Sequence, residues 1–542
     1  MLLILARHHG TFLYRNIQSC GRLGPIALIG LIISGCAVQP QPFEQREHQA
    51  RSADLVNRAT SQQEPIFQPV DLYEAMGRAI KYNLDGRVEL MNLALSQREL
   101  DLSRYDMLPK LVATLDYAGR DNYSGGISKS LLTGRTSLEP STSSEKNVLQ
   151  SDLTLSWDVL DFGLSYVRAQ QAADRVGIAE ERKRKVINRL IEDVRTAWWR
   201  AASAERLLSN IRELERTTQA ALDQARQQEK VGLTAPLGPL SFQREMLSIR
   251  RDAQALGREL GVAKQQLAAL MNLPPGTQYT IALPSQNIEW KSIESFGIPN
   301  DPTALLRTAI ENRPELREVA YQLRSNDREE TAAYLRALPS LRLFFGADYS
   351  SNSFLYNNNW LGFGARASWN VLNIFRLPAE QDQIKAAGQL LDQRQLALTT
   401  AVATQLDVSL ARYTLRLGEL RTAKNYYEVQ ARIEGQIESG YKAEKLSRQT
   451  LIREQMNSLV SRVRYDLALA DLQNAYANVY ASLGIDPVEA DMSSTASVSE
   501  LAAKLRVMWA RRNDGVALTR AAPVPRLVRP RFQAPSATAF WG

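Results

Sequence analysis

Four short stretches of this chain alternate strictly between two kinds of residue. Leu111, Ala113, Leu115 and Tyr117 alternate with Val112, Thr114 and Asp116, and Leu153, Leu155, Trp157 and Val159 with Asp152, Thr154, Ser156 and Asp158. Leu341, Leu343, Phe345, Ala347 and Tyr349 alternate with Arg342, Phe344, Gly346 and Asp348. Finally, Leu361, Phe363, Ala365, Ala367, Trp369 and Val371 alternate with Gly362, Gly364, Arg366, Ser368 and Asn370. A period of two puts each set on its own face of a sheet. One set is apolar and the other mostly polar or small, and each stretch approaches the ~10 residues of a membrane strand, with lipid outside and water inside. The pattern therefore predicts Thr154, Ser156, Gly364 and Arg366 in a barrel lumen and Leu155, Trp157, Phe363 and Ala365 toward lipid. Tyr117, Tyr349, Trp360 and Trp369 fall toward strand ends, where interfacial aromatic belts form. The intervening loops, rich in Ser, Gly, Thr and Asn, suit solvent-exposed tips. A soluble sandwich would alternate as well, but the helices described next argue against it.

Elsewhere the apolar positions step by three and four. Ile187, Ile191, Val194, Trp198, Ala201, Ala204, Leu208 and Ile211 form one seam; Leu406, Leu410, Tyr413, Leu417, Leu420, Lys424 and Tyr427 form another, with one polar exception. Leu256, Leu260, Ala263, Leu267 and Leu270 line a partner helix. Such seams predict coiled-coil-like packing. A helix over Gly163–Lys230 would hold about 68 residues and span ~100 Å at ~1.5 Å per residue. The helices flanking it, about 72–108 and 240–273, would each cover roughly half that length.

The chain also repeats itself. Ala79-Ile80 recurs as Ala309-Ile310, Met107-Leu108-Pro109-Lys110-Leu111 as Ala337-Leu338-Pro339-Ser340-Leu341, and Ser156-Trp157-Asp158-Val159-Leu160 as Ser368-Trp369-Asn370-Val371-Leu372. The expected organisation is a first repeat over 71–273, with a β-hairpin at 110–161 and a helical hairpin at 163–273. A linker at 274–301 leads to a second repeat over 302–486, with its hairpins at 340–373 and 377–485. Four strands cannot close a barrel, and an open edge in lipid would leave backbone amides without partners. Three chains would supply twelve strands. The expected fold class is thus a mixed α+β membrane protein, a trimeric twelve-stranded transmembrane β-barrel continuous with a long periplasmic helical barrel.

At the N-terminus, Pro25–Ile33 form an apolar run behind Arg15 and Arg22, too short to be a stable span. Residues 1–35 have the form of a signal peptide. Ile33-Ser34-Gly35-Cys36 resembles a lipobox, which predicts acylation of Cys36; Ala37, in place of an aspartate, favours the outer membrane. Residues 36–70 would then be a lipidated tether, its start polar, proline-containing and extended. Cys20 and Cys36 are the two cysteines, so no disulfide is expected in the mature chain. The 542 residues carry a formal net charge of +8, much of it in the C-terminal stretch. Nucleic-acid binding would need a recognition helix or aromatic-basic alternation, and neither occurs; residues 487–542 are expected to be a partly disordered periplasmic tail.

In this order of elements the chain resembles the TolC-like outer membrane efflux proteins. The carriers are the duplicated helix–hairpin–helix order, the Leu-Pro-x-Leu segments at Leu108 and Leu338, the Trp-x-Val-Leu strand ends, and Val231-Gly232-Leu233-Thr234. The resemblance covers roughly Asp71 to Asp486. It implies that the tetrapeptide is a periplasmic hairpin tip presented to an adaptor, with glycine permitting the left-handed turn. Ser439-Gly440-Tyr441-Lys442 matches this tip more loosely, so Gly440 and Tyr441 are the second candidate pair. One departure concerns the gate. Where the family often places an aspartate about two helical turns after the tip glycine, this chain has Gly238 and Leu446. Glu229, Glu434, Glu438 and Glu444 are the nearby acids, either a gate or a solvated face.

The resemblance implies a homotrimeric exit duct served by a periplasmic adaptor (membrane fusion) protein and an inner-membrane pump of RND or ABC type, in small-molecule efflux or type I secretion. It implies no cofactor. Catalysis lacks support, since His8, His9 and His48 lie outside the repeats and no phosphate loop or metal cluster occurs. The alternative of another class is a structural or cell-surface coiled-coil lipoprotein that uses its helices as a spacer.

Overall fold

The computed structural model describes residues 42–60, 63–137, 139–231, 237–283, 301–485 and 496–513, and the chain divides into residues 1–61 and 62–542. In the first unit, helix α1 (Gln45–Thr60) replaces the expected extended tether; it buries no side chain of its own. The prolines end at Pro42, and the Gln, Glu, Arg and Ala that follow are good helix formers.

In the second unit each repeat begins with a broken helix. Helices α2 (Leu72–Tyr82) and α3 (Leu84–Tyr105) meet at Asn83, whose φ/ψ of −62/129 interrupts the helix while its side chain accepts from Gly86 N–H. Helices α7 (Pro302–Asn312) and α8 (Pro314–Ala337) meet at Arg313, at −62/125. There Pro314 sets the break, because proline pushes the residue before it into extended conformation. Both repeats open on an aspartate N-cap: Asp71 accepts from Glu74 N–H, and Asp301 from Thr303 and Ala304.

The strands are β1 (Lys110–Gly119) and β4 (Asn147–Asp158) in repeat one, and β5 (Ser340–Ser350) and β6 (Asn359–Ser368) in repeat two. A small pair, β2 (Gly125–Gly126) and β3 (Ser141–Thr142), decorates the first loop. The four long strands form one antiparallel sheet in the order β1-β4-β5-β6. Strand β6 stops at Ser368 rather than running to Val371, because Asn370 accepts from Leu372 N–H and starts the next helix. Asp158 makes the equivalent turn in repeat one, accepting from Leu160 and Asp161 N–H.

From these turns run α4 (Val159–Val231, 73 residues) and α9 (Leu372–Lys442, 71 residues), each ~110 Å long at ~1.5 Å per residue. The expected start at Gly163 is four residues late, since strand passes into helix with no loop. The return arms are α5 (Leu237–Gly261) with α6 (Ala263–Leu270), and α10 (Arg448–Ser482); the expected single helix over 240–273 is divided at Val262.

Near the sheet, α3 packs on α4, α4 on α8 and α8 on α9. The helical order α3-α4-α8-α9 thus repeats the strand order β1-β4-β5-β6, each helix continuing the strand it joins. Farther from the sheet, α4 packs on α5 and α10, and α10 on α9. The predicted seams are where these helices meet: Ile191, Val194, Trp198, Ala201, Ala204 and Ile211 are buried, as are Leu260, Ala263, Leu267, Leu406 and Leu420. In the second seam, Tyr427 stacks on Tyr465 of α10 at 5.7 Å.

Part of the expected tail is ordered. Helix α11 (Val498–Asn513) packs against α2 of the first repeat, burying Val498, Leu501, Leu505 and Trp509. Gly77 permits this: a Cβ there would lie 3.2 Å from the Val498 carbonyl oxygen, so the two backbones touch.

Candidate conduit and docking tips

The ladder decides which strand residues share a face. Thr154 lies opposite Val112 and Gly346, and Gly346 opposite Gly362; Ser156 lies opposite Lys110 and Phe344, and Phe344 opposite Gly364. Arg342 lies opposite Asp158 and Arg366. Thr154, Ser156, Gly364 and Arg366 therefore stand on one face, and Leu155, Trp157, Phe363 and Ala365 on the other. Along the middle of the two central strands the first face is the more sheltered, although Arg342 and Arg366 at its helical end are exposed. Gly346 and Ser350 are buried and Phe344, Asp348, Thr154 and Ser156 half-buried, while Leu343, Phe345, Ala347, Leu155 and Trp157 are exposed. That asymmetry marks a sheet curved around its polar face. Glycines make the curvature possible: a Cβ on Gly364 would meet the Phe344 ring at 2.6 Å, and one on Gly346 the Thr154 hydroxyl at 2.9 Å. Tyr117 and Tyr349 stand on the apolar face near the loop end, whereas Trp360, opposite Asp348, stands on the polar one.

At the loop end, the two hairpins are clasped by Asn352. Its amide donates to the Ser143 carbonyl at 3.0 Å, and its Oδ1 accepts from Glu145 N–H at 3.2 Å. Asn358 donates to the Ser350 carbonyl at 2.7 Å. No local sequence pattern announces this clasp, because it joins residues of different repeats.

At the far end, Val231 is the last residue of α4, and Gly232, Leu233 and Thr234 lie outside the described residues, as does Cys36. The second tip is described in full, and its glycine does not make the turn. Gly440 and Tyr441 are still helical; the left-handed residue is Glu444, at φ 58. Lys445 N–H donates to the Gly440 carbonyl and Glu444 N–H to that of Tyr441, a Schellman closure. Gly440 instead makes room for Leu446, whose Cδ1 would lie 2.6 Å from a Cβ there. A non-glycine residue in this conformation costs about 1–2 kcal/mol. Among the candidate gate acids, Glu438 pairs with Lys442 at 2.7 Å, Glu229 accepts from Gln243 at 2.6 Å, and Glu434 is half-buried. The structure does not bring these four into one cluster within a single chain.

Between the two ends, charges tie the helices together. Asp174 of α4, fully buried, bridges Arg324 and Arg328 of α8. Arg206 of α4 meets Asp466 of α10 at 2.8 Å; burial nonetheless raises the Asp466 carboxyl above the usual range. Under α11, the Arg195 guanidinium stacks 4.2 Å from the Trp509 ring centroid, and burial pulls its pKa down to about 10. Glu64 accepts from Lys81 at 2.7 Å and from Val498 N–H, and the Lys81 hydrogen bond holds its pKa below the ordinary value. Among the described residues no His, Cys, Asp and Glu group could hold a metal, and no helix is long and apolar enough to cross a membrane.

Comparison with known proteins agrees with this geometry. Residues 77–273 match the outer membrane efflux protein family. The fold is shared with the open-state MtrE outer membrane channel of Neisseria gonorrhoeae at 17% identity and TM-score 0.58, over 76% of this chain and 88% of that one. It is shared with the CmeC outer membrane channel of Campylobacter jejuni at 14% identity and TM-score 0.56, over 86% and 97%. The outer membrane protein VceC of Vibrio cholerae is similar at 11% identity and TM-score 0.55, over 76% and 96%. The fold class is that of trimeric outer-membrane channels, a β-barrel continuous with an α-helical barrel.

Proposed function

We propose that the chain is the exit duct of an efflux system, a reading supported by the match of residues 77–273 to the outer membrane efflux protein family and by the fold shared with outer-membrane channels. Three copies close around one axis, and the polar sheet face, with Thr154, Ser156, Gly364 and Arg366, lines the lumen. The observation that carries this reading is the matched pair of open edges. Among the described residues, strands β1 and β6 have no partner on their outer sides, and α3 and α9, which continue them, are the edge helices below. With four alternating strands, β6 of one copy runs antiparallel to β1 of the next, so added copies extend the sheet without a clash of direction. An open edge cannot persist in lipid.

In this assembly the helices extend into the periplasm. The tips at Val231-Gly232-Leu233-Thr234 and Gly440-Tyr441 dock a periplasmic adaptor, which links the duct to an inner-membrane pump of RND or ABC type, for efflux or type I secretion. Glu229, Glu434, Glu438 and Glu444 would form a gate only across chain boundaries. Acylated Cys36 adds a second hold on the outer membrane, independent of the barrel.

Paired charge insertions test the duct. A charge on the lipid face near mid-membrane costs ~2–4 kcal/mol, and one in a wet lumen little. Leu155→Arg is expected to abolish trimer recovery from outer membranes, and Thr154→Arg to leave recovery intact while changing single-channel conductance. Equal recovery of both variants, or trimers that conduct nothing in planar bilayers, would overturn the duct.

A further inference from the structure

The polar face of the sheet is zoned by charge. Toward the loops, Asp152 lies directly opposite Asp348. Nearest the helices, Arg342 lies directly opposite Arg366. Like charges facing each other across a ladder weaken a sheet, so neither pair is there to hold the strands together. Asp158 offsets Arg342 only in part, at 3.9 Å. Along β5 the two zones are six residues apart, ~20 Å at ~3.4 Å per residue. Between them, the Phe344 ring lies across Gly364. Gly362 leaves the Asp348 carboxylate uncovered: a Cβ there would sit 3.1 Å from its Oδ2.

We infer that the barrel lumen is a two-zone electrostatic filter, basic where it meets the helical tube and acidic at its outer mouth, so that it conducts ions asymmetrically. The inference rests on the lumen assignment above and names Asp152, Asp348, Arg342 and Arg366 as the residues that set its charge preference. Closure repeats each zone in every copy, making two girdles. The acidic girdle concentrates cations and the basic girdle anions. A potential positive on the outer side drives cations in through the acidic mouth and anions out through the basic zone. Both accumulate between the girdles, and conductance rises. The opposite potential drains the same region of both, and conductance falls. Screening sets when this is visible: the Debye length is ~30 Å at 0.01 M salt, longer than the separation of the zones, and ~3 Å at 1 M.

The test uses full-length trimers inserted from one side of a planar bilayer in symmetric potassium chloride. At ~0.01 M the current with the outer side positive is expected to exceed that at the opposite polarity by about two-fold or more, and the ratio to approach one at ~1 M. Asp152→Asn with Asp348→Asn removes the facing acidic pair and its repulsion, leaving Asp116 of β1 on that face, so assembly is retained while the ratio falls toward one. Arg366→Gln lowers it from the other end. Trimers that conduct with no rectification at ~0.01 M, or whose rectification survives the paired Asn change, would overturn the filter and leave the duct standing. Trimers that do not conduct would overturn the duct itself.

Discussion

Helices α4 and α9 occupy equivalent places in the two repeats and are nearly equal in length, yet they live in different surroundings. Buried apolar side chains recur along α4 from Leu164 to Ala225, whereas the buried apolar residues of α9 are Ile384, Val402, Leu406 and Leu420. Leu390, Leu396, Leu415, Tyr426 and Val429 of α9 are exposed, as are Val88, Met91, Leu95 and Leu102 of α3. The difference follows from position. In the order α3-α4-α8-α9, α4 has neighbours of its own chain on both sides and α9 on one. Duplication therefore produced one helix that stabilises the protomer and one whose outer side stays uncovered among the described residues. The same inequality holds in the sheet, where β4 is flanked and β6 is an edge.

The comparison can be broken at either helix. The largest effect is expected inside α4. Asp174→Ala leaves the Arg324 and Arg328 guanidiniums without their shared carboxylate and should cost about 3 kcal/mol, the low end for a broken buried pair because both arginines are partly exposed. Urea denaturation followed by helical circular dichroism measures it, and an unchanged midpoint would remove the charge cluster from the account. On α9, Leu396→Glu with Leu415→Glu should leave the protomer's helical signal unchanged and shift trimers to monomers in sedimentation. Should trimers persist, the uncovered side of α9 is not an interface.

Smaller effects separate the two repeats at their breaks. Asn83→Ala removes a side-chain cap and should cost ~1 kcal/mol. Pro314→Ala removes only a backbone restriction, worth ~0.4–1 kcal/mol through the unfolded chain. Chemical denaturation of the two variants side by side should place Asn83→Ala lower; the reverse order would mean that Pro314 stabilises the break by more than its restriction of the unfolded chain. The smallest effect concerns α11. The Glu64 pKa is depressed in the fold, so its contribution is fully present above the unfolded value and is lost as pH falls through the folded one. Amide protection around Val498 should fall below pH ~4 while that of α4 persists, and Glu64→Gln should flatten the profile. Equal loss in α11 and α4 would show that Glu64 does not hold the helix.

How much of this was legible in the chain depends on how far each signal reaches. Strand alternation was read directly; the Asp71 and Asp301 caps, the Asn83 and Pro314 breaks and the Asp158 and Asn370 turns went unread, although they too are local chemistry. Each acts within a few residues, so the composition of a short window determines it. The seams of α4 and α9 were likewise readable, since a helix brings residues three and four apart to one side. Tertiary structure alone decided the rest. The register of β4 on β5 sets Asp152 against Asp348, and those residues belong to different repeats with nearly two hundred positions between them. Docking of α11 needs Gly77, Arg195 and Trp509 together, three residues no local pattern connects. At the second tip the sequence offered a glycine for the reversal, and packing gave that turn to Glu444. Leu446 needed the space over Gly440, and an interaction across a turn is settled only when the chain has folded back.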